Sequence, residues 1–296
     1  MSTTKYWLLF IFAALTACAT PTPRDEQTIK SYSGESADLA VITAKILETV
    51  RLHPQADILV AFDLDNTLLA MEQGLGSDQW YSWQSALAEA GDCSSARVSD
   101  RLAVQGALYF ASAMRPTEPD AAALVRQVQE AGVTTIALTA RGDSFRLPTF
   151  RELRRNGFNF RDSAFGPVGG FKEAFYLPGL QRSLRYEDGV LMVAGQNKGI
   201  ALLEVLAYTE TTSPDLVILV DDKTYNLENF TQALISVNLP AHTWWYTGED
   251  QNVALFDAQD AELQWQSVVG ALQTLESVFG ADNFMLPGEE VIADCP

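Results

Sequence analysis

Residues 58–70 read ILVAFDLDNTLLA. The first five are apolar without alternation, the mark of a strand buried on both faces inside a parallel sheet. Asp63 and Asp65 follow at once, and the two-residue period of an extended chain turns both carboxylates the same way. Like charges so close repel, and at least one carboxyl should resist ionising unless something at the strand end makes use of the pair.

Working outward, three further segments read as core strands: 133–140 (VTTIALTA), 216–222 (LVILVDD) and 241–247 (AHTWWYT). Helical periodicity lies between and before them. Leu39, Ile42, Ile46 and Val50 share one face in 37–52, and Pro54 stops that helix. Pro119 and Asp120 open another, Leu124, Val125 and Val128 line it, and Gly132 closes it. Further helices are expected from Lys198 and from Leu227. Strand alternating with helix predicts an α/β fold, a parallel sheet with right-handed crossovers and flanking helices. Two stretches break the alternation. Residues 71–115 form a long, helix-rich insert after the first strand, and 142–190 include a hairpin expected around Asp188-Gly189. Loops of such length inside a domain usually act as lids or binding elements.

The chain has 296 residues, 47% hydrophobic and 20% charged, enough for one α/β domain with an insertion. Its net charge of −18 argues against nucleic acid, whose phosphates call for a basic surface. Residues 1–17 carry one lysine and an apolar run too short for a typical membrane span, the pattern of a secretory signal. Leu15-Thr16-Ala17-Cys18 resembles the lipobox of bacterial lipoproteins. That resemblance implies cleavage before Cys18, lipidation of its sulfur, and a membrane anchor. With Ala19 next, it implies the outer membrane of a Gram-negative envelope, facing the periplasm. Residues 18–35, rich in Thr, Pro and Ser, read as a flexible tether to a domain spanning 36–296. Whether Cys93 and Cys295 pair in that oxidising compartment is left open.

In open parallel sheets, function gathers outside the carboxyl ends of the strands. Those ends carry Asp63 and Asp65, then Thr139 and Arg141, then Asp221 and Asp222, and a helix begins at Lys198. Carboxylates converging with a lysine and a hydroxyl suit phosphoryl transfer with a divalent metal, Mg²⁺. On this reading Asp63 is metal ligand and nucleophile. Asp65 gives its backbone carbonyl to the metal, and its carboxyl, raised in pKa by its neighbour, works as general acid and base. Thr139 and Lys198 steady the phosphoryl oxygens.

The DLDNT stretch, the threonine of LTAR, Lys198 and the Asp221-Asp222 pair resemble, in order and strand position, the four motifs of the haloacid-dehalogenase-like hydrolases. The resemblance spans about residues 56–250 and implies a Rossmann-like core. Its aspartate at position 65 goes with phosphomonoesterases and phosphomutases, and the resemblance implies a small phosphorylated substrate. Alignment with the family's Gly-Asp variant favours Asp222 as direct ligand and Asp221 behind it, with Asn226 orienting the site. The insert 71–115 occupies the slot of a helical cap, where Trp80 is a candidate substrate contact or a packing residue, and Arg141, Arg146 and Arg151 are candidate phosphate clamps. Within the superfamily the chain looks more like an uncharacterised group of bacterial envelope proteins, a domain of unknown function, than like lipoprotein acid phosphatases. Those usually carry Glu where this chain has Asn66. The competing expectation is a non-catalytic metal, ligand or partner-binding lipoprotein on the same scaffold.

Overall fold

The computed structural model describes residues 29–94 and 96–280. The chain enters through β1 (Tyr32–Ser36) and α1 (Leu39–Leu52), then forms β2 (Ile58–Phe62). A ribbon of β3 (Leu69–Met71) and β4 (Met114–Pro116) frames the insert, which holds α2 (Asp78–Glu89) and α3 (Arg101–Ala111). Next come α4 (Ala121–Glu130), β5 (Thr134–Thr139), α5 (Arg146–Arg155), and the hairpin β6 (Arg185–Glu187) and β7 (Val190–Met192). The chain ends as α6 (Lys198–Tyr208), β8 (Leu216–Asp221), α7 (Thr224–Ile235), β9 (Ala241–Tyr246), α8 (Asp250–Ala254) and α9 (Ala258–Phe279).

The strands make a seven-stranded sheet in the order β1-β9-β8-β2-β5-β7-β6, parallel except for β6, so the expected α/β, Rossmann-like architecture is present. All five residues of β2 are buried. Ile58, Val60 and Phe62 join Ile42 and Ile46 of α1 and Val125 and Val128 of α4 on one face. Leu59 and Ala61 join Leu202 and Val205 of α6 and Phe230 and Leu234 of α7 on the other. Each large aliphatic side chain so buried contributes about 1.5–3 kcal/mol. From β2 the chain first fills β5 on one side and later crosses to β8 on the other. That reversal opens a crevice beyond the end of β2, where Asp63 follows.

The tether ends sooner than residue 35. Residues 32–36 are a strand in parallel register with β9, Tyr32 against His242 and Ser36 against Tyr246. Gly34 makes this possible, because a Cβ there would come within 2.5 Å of the Trp244 ring. The signal segment, Cys18, the tether up to residue 28 and Cys295 lie outside the described residues, and Cys93 is disulfide-bonded. The hairpin stands where expected. Asp188 (φ 46°) and Gly189 (φ 75°) supply the two left-handed residues that match a tight turn to strand twist. Its β7 pairs with β5, so the hairpin extends the sheet.

The insert is a helical cap with its own core of Leu75, Trp80, Val98, Val104 and Leu108. Trp265 and Val268 of α9 pack against that core, and Trp83 meets Phe256 at 6.1 Å. Among the described residues, no helix is long and apolar enough to cross a membrane.

Candidate active site

Four chain segments converge at the rim. Asp63 prolongs β2, its N–H donating to Val220 O of β8 at 2.9 Å. Lys198 opens α6, which is capped by the Asn197 side chain, and is itself buried. Its Nζ lies 2.6 Å from Asp63 Oδ1 and 2.6 Å from Asp221 Oδ2. Burial alone would lower the Lys198 pKa, but Asp221 and Asp63 outweigh it and hold the ammonium charged. Burial drives the Asp63 pKa well up; Lys198 opposes this, and Asp221, Asp222 and Asp65 add to the rise.

One carboxylate oxygen from each of Asp63, Asp221 and Asp222 lies within 4.8 Å of the others. Their freedom differs. Asp221 accepts from Lys198 Nζ, from Asn226 Nδ2 on both oxygens (3.0 and 3.2 Å), and from Lys223 N (2.9 Å). A carboxylate offers about four lone-pair directions, so Asp221 is saturated. Asp63 keeps Oδ2 without a hydrogen-bond partner among the described residues, and Asp222 accepts from the Lys223 ammonium at 3.0 Å. Burial, with Asp221 and Asp78 adding and Lys223 opposing, pushes the Asp222 pKa up to about 7.

The expected rise in the Asp65 pKa is overturned. Arg141 grips Asp65 from both sides, Nε to Oδ2 and Nη2 to Oδ1 at 2.8 Å each, and Tyr109 donates to Oδ1 at 2.6 Å. Burial pushes Asp65 up, but Arg141 and Tyr109 prevail and its pKa is lowered. Arg141 is thereby not a free phosphate clamp: its remaining contacts are Thr149 Oγ1 and Met114 Sδ, with its guanidinium 4.8 Å from the centre of the Tyr109 ring. Arg146 is spent on Glu187, and Arg151 on Glu152 and the carbonyls of Tyr109, Phe110 and Ser112. Asn226, a candidate substrate contact from sequence, donates to Asp221, and Trp80 is fully buried in the cap core, which leaves it a packing residue. Thr139 is buried at the end of β5, where its Oγ1 accepts from Arg141 N at 3.2 Å. In the turn after Asp65, Asn66 Nδ2 and Thr67 Oγ1 are buried without partners among the described residues.

Three contributors escaped sequence reasoning: Tyr109 on α3, Asp78 in the first turn of α2, and Lys223 directly after Asp222. Only Lys223 carried a signal, its adjacency to the acidic pair. Together, five carboxylates (Asp63, Asp65, Asp78, Asp221, Asp222) face three cations (Lys198, Arg141, Lys223) in three sets of ion pairs. Hard oxygen donors with two negative charges left over suit a divalent cation such as Mg²⁺.

A family model described as "Protein of unknown function (DUF2608)" matches residues 37–276. A search of curated proteins found no match.

Proposed function

The chain belongs to the DUF2608 family, whose description names no reaction, and from its site we propose a Mg²⁺-dependent phosphomonoesterase of the haloacid-dehalogenase type. One observation carries the reading: a buried Asp63–Lys198–Asp221 chain of 2.6 Å contacts, with Asp222 alongside, assembled at the sheet's functional edge from separate segments. A buried carboxylate held by one oxygen, with the other lacking a hydrogen-bond partner among the described residues, is a positioned nucleophile. Asp63 Oδ2 attacks phosphorus, the ester oxygen leaves, and an aspartyl-phosphate forms. Lys198 holds the nucleophile in place and offsets negative charge. Asp63 and Asp222 would hold the cation, backed by Asp221; when bound, Mg²⁺ neutralises the cluster and polarises the phosphoryl group. Thr139 Oγ1 retains its proton for a phosphoryl oxygen.

Asp65, as Arg141 holds it, is an acceptor. It fits deprotonation of the water that attacks the aspartyl-phosphate in the second half-reaction. Protonating the alkoxide in the first requires that the Arg141 contact open. This clamp also favours a second reading, a binding protein that keeps the pocket without turnover. A stable fluoroberyllate adduct on Asp63 supports the enzyme; metal binding without an adduct supports the binding protein.

The sequence LTAC at 15–18 supports a lipid anchor at Cys18 on the envelope, which the mass of the mature amino-terminal peptide tests. The catalytic reading is tested by phosphate release from an aryl phosphate. Wild type should turn over with Mg²⁺, lose activity in EDTA, and lose at least about a hundredfold as Asp63→Asn. Inactive wild type across a broad phosphomonoester panel refutes it.

A further inference from the structure

Among the described residues, Lys223 is the cation of the site that forms ion pairs with both the core and the cap. Its backbone N–H is fixed on Asp221 Oδ1 at 2.9 Å, so its side chain alone is left to move. The ammonium sits 3.0 Å from Asp222 Oδ2 and 3.2 Å from Asp78 Oδ2. The first of these carboxylates belongs to the acidic trio, the second to the first turn of α2. Asp78 follows the Ser77 cap, a favourable place for a negative charge, and stands two residues before Trp80, the fully buried anchor of the cap core. Among the described residues, Lys223 is the ion-pair partner Asp78 makes.

Asp222 cannot serve an ammonium and a divalent cation together without bringing two like charges to near contact. Asp221 offers the displaced ammonium no vacancy, since its lone pairs are filled. Asp78 is already within reach. Resting on the metal-site reading above, we infer that Lys223 is a transferable counter-ion: it shares Asp222 with the cap in the cation-free site and passes wholly to Asp78 when a divalent cation loads. Its attraction for Asp78 is then undivided, so loading tightens the start of α2, and through Trp80 the cap. By linkage, whatever strengthens the Lys223–Asp78 pair also strengthens cation binding. Lys223 acts here as a positioning residue, joining the loaded state to the closed cap.

Calorimetric Mg²⁺ titration and hydrogen exchange over residues 78–84 test this on the soluble chain, for wild type, Lys223→Met, Lys223→Arg, Asp78→Asn and the double variant. Both side chains are partly exposed, and a thermal melt of each variant verifies folding. In wild type, Mg²⁺ should slow exchange at the start of α2 several-fold; Lys223→Arg should keep that response, and Lys223→Met and Asp78→Asn should lose it. Lys223→Met should bind Mg²⁺ several-fold more tightly. Asp78→Asn should weaken binding several-fold with Lys223 present and be nearly silent with Met there. Equal weakening by Asp78→Asn in both backgrounds is a plain through-space charge effect and overturns the handover, as does exchange that ignores Mg²⁺ in a wild type that binds it. A wild type that takes up no Mg²⁺ removes the metal-site reading and the handover with it.

Discussion

Asp63 and Asp65 stand two residues apart and live in opposite surroundings. Asp63 is buried among other carboxylates with one lysine to oppose them, and its pKa is driven up; Asp65 lies in the fork of Arg141 under a tyrosine hydroxyl, and its pKa is held down. Neighbouring environments that push two acids apart assign them different work. If Asp65 is a poor proton donor, leaving groups that need no proton are favoured. An aryl phosphate should be hydrolysed at least about tenfold faster than an alkyl phosphate, and Arg141→Gln should narrow that ratio, both read from kcat/KM on the two esters. A ratio unchanged by Arg141→Gln contradicts the role given to the clamp. Asp222 makes a pH prediction. Burial pushes its carboxyl up to about 7 in the cation-free site, so below that pH it carries a proton that binding must displace. Mg²⁺ affinity should therefore fall as pH drops from 8 to 6, by up to about tenfold per unit below 7; a flat calorimetric profile contradicts Asp222 as a ligand. The four motif positions were legible because strand ends, and for Lys198 a helix start, fix where a residue points. The clamp was not, because Arg141 and Asp65 meet across 76 residues of chain and the choice between substrate and carboxylate is a matter of side-chain geometry.

The elements divide in the same way. β2, β5, β8 and β9 announced themselves through apolar runs of strand length, and the β6–β7 hairpin through Asp188-Gly189, whose left-handed geometry few other pairs adopt. β1 announced nothing. Tyr-Ser-Gly-Glu-Ser has no alternation and sits at an edge, where it is held by its register on β9 and by Ser33 Oγ against Thr243 Oγ1 at 2.8 Å. Its seat depends on the missing side chain at Gly34, over which the Trp244 ring lies. Gly34→Ala should therefore cost about 1–3 kcal/mol through overpacking, read as a fall in the denaturation midpoint. A substitution without effect contradicts the packing of β1 on Trp244.

At the scale of the molecule, an acidic chain has gathered an excess of carboxylates at one rim and placed a cap above it. The cap is held by more than its own ribbon: Arg151 binds carbonyls at the end of α3, Tyr109 reaches Asp65, and α9 closes over α2 from outside. The helices of the insert were expected from its sequence, whereas their docking depended on contacts between segments far apart in the chain. The proposed reaction requires that Asp63 become covalently phosphorylated. Protein mixed with Mg²⁺ and an aryl phosphate, quenched in acid and mapped by mass spectrometry, shows whether it does. A hydroxylamine-labile phosphoryl group on the peptide carrying Asp63, absent from Asp63→Asn, is the predicted result. Phosphate released at the wild-type rate by Asp63→Asn, or a phosphoryl group found on another residue, would contradict it.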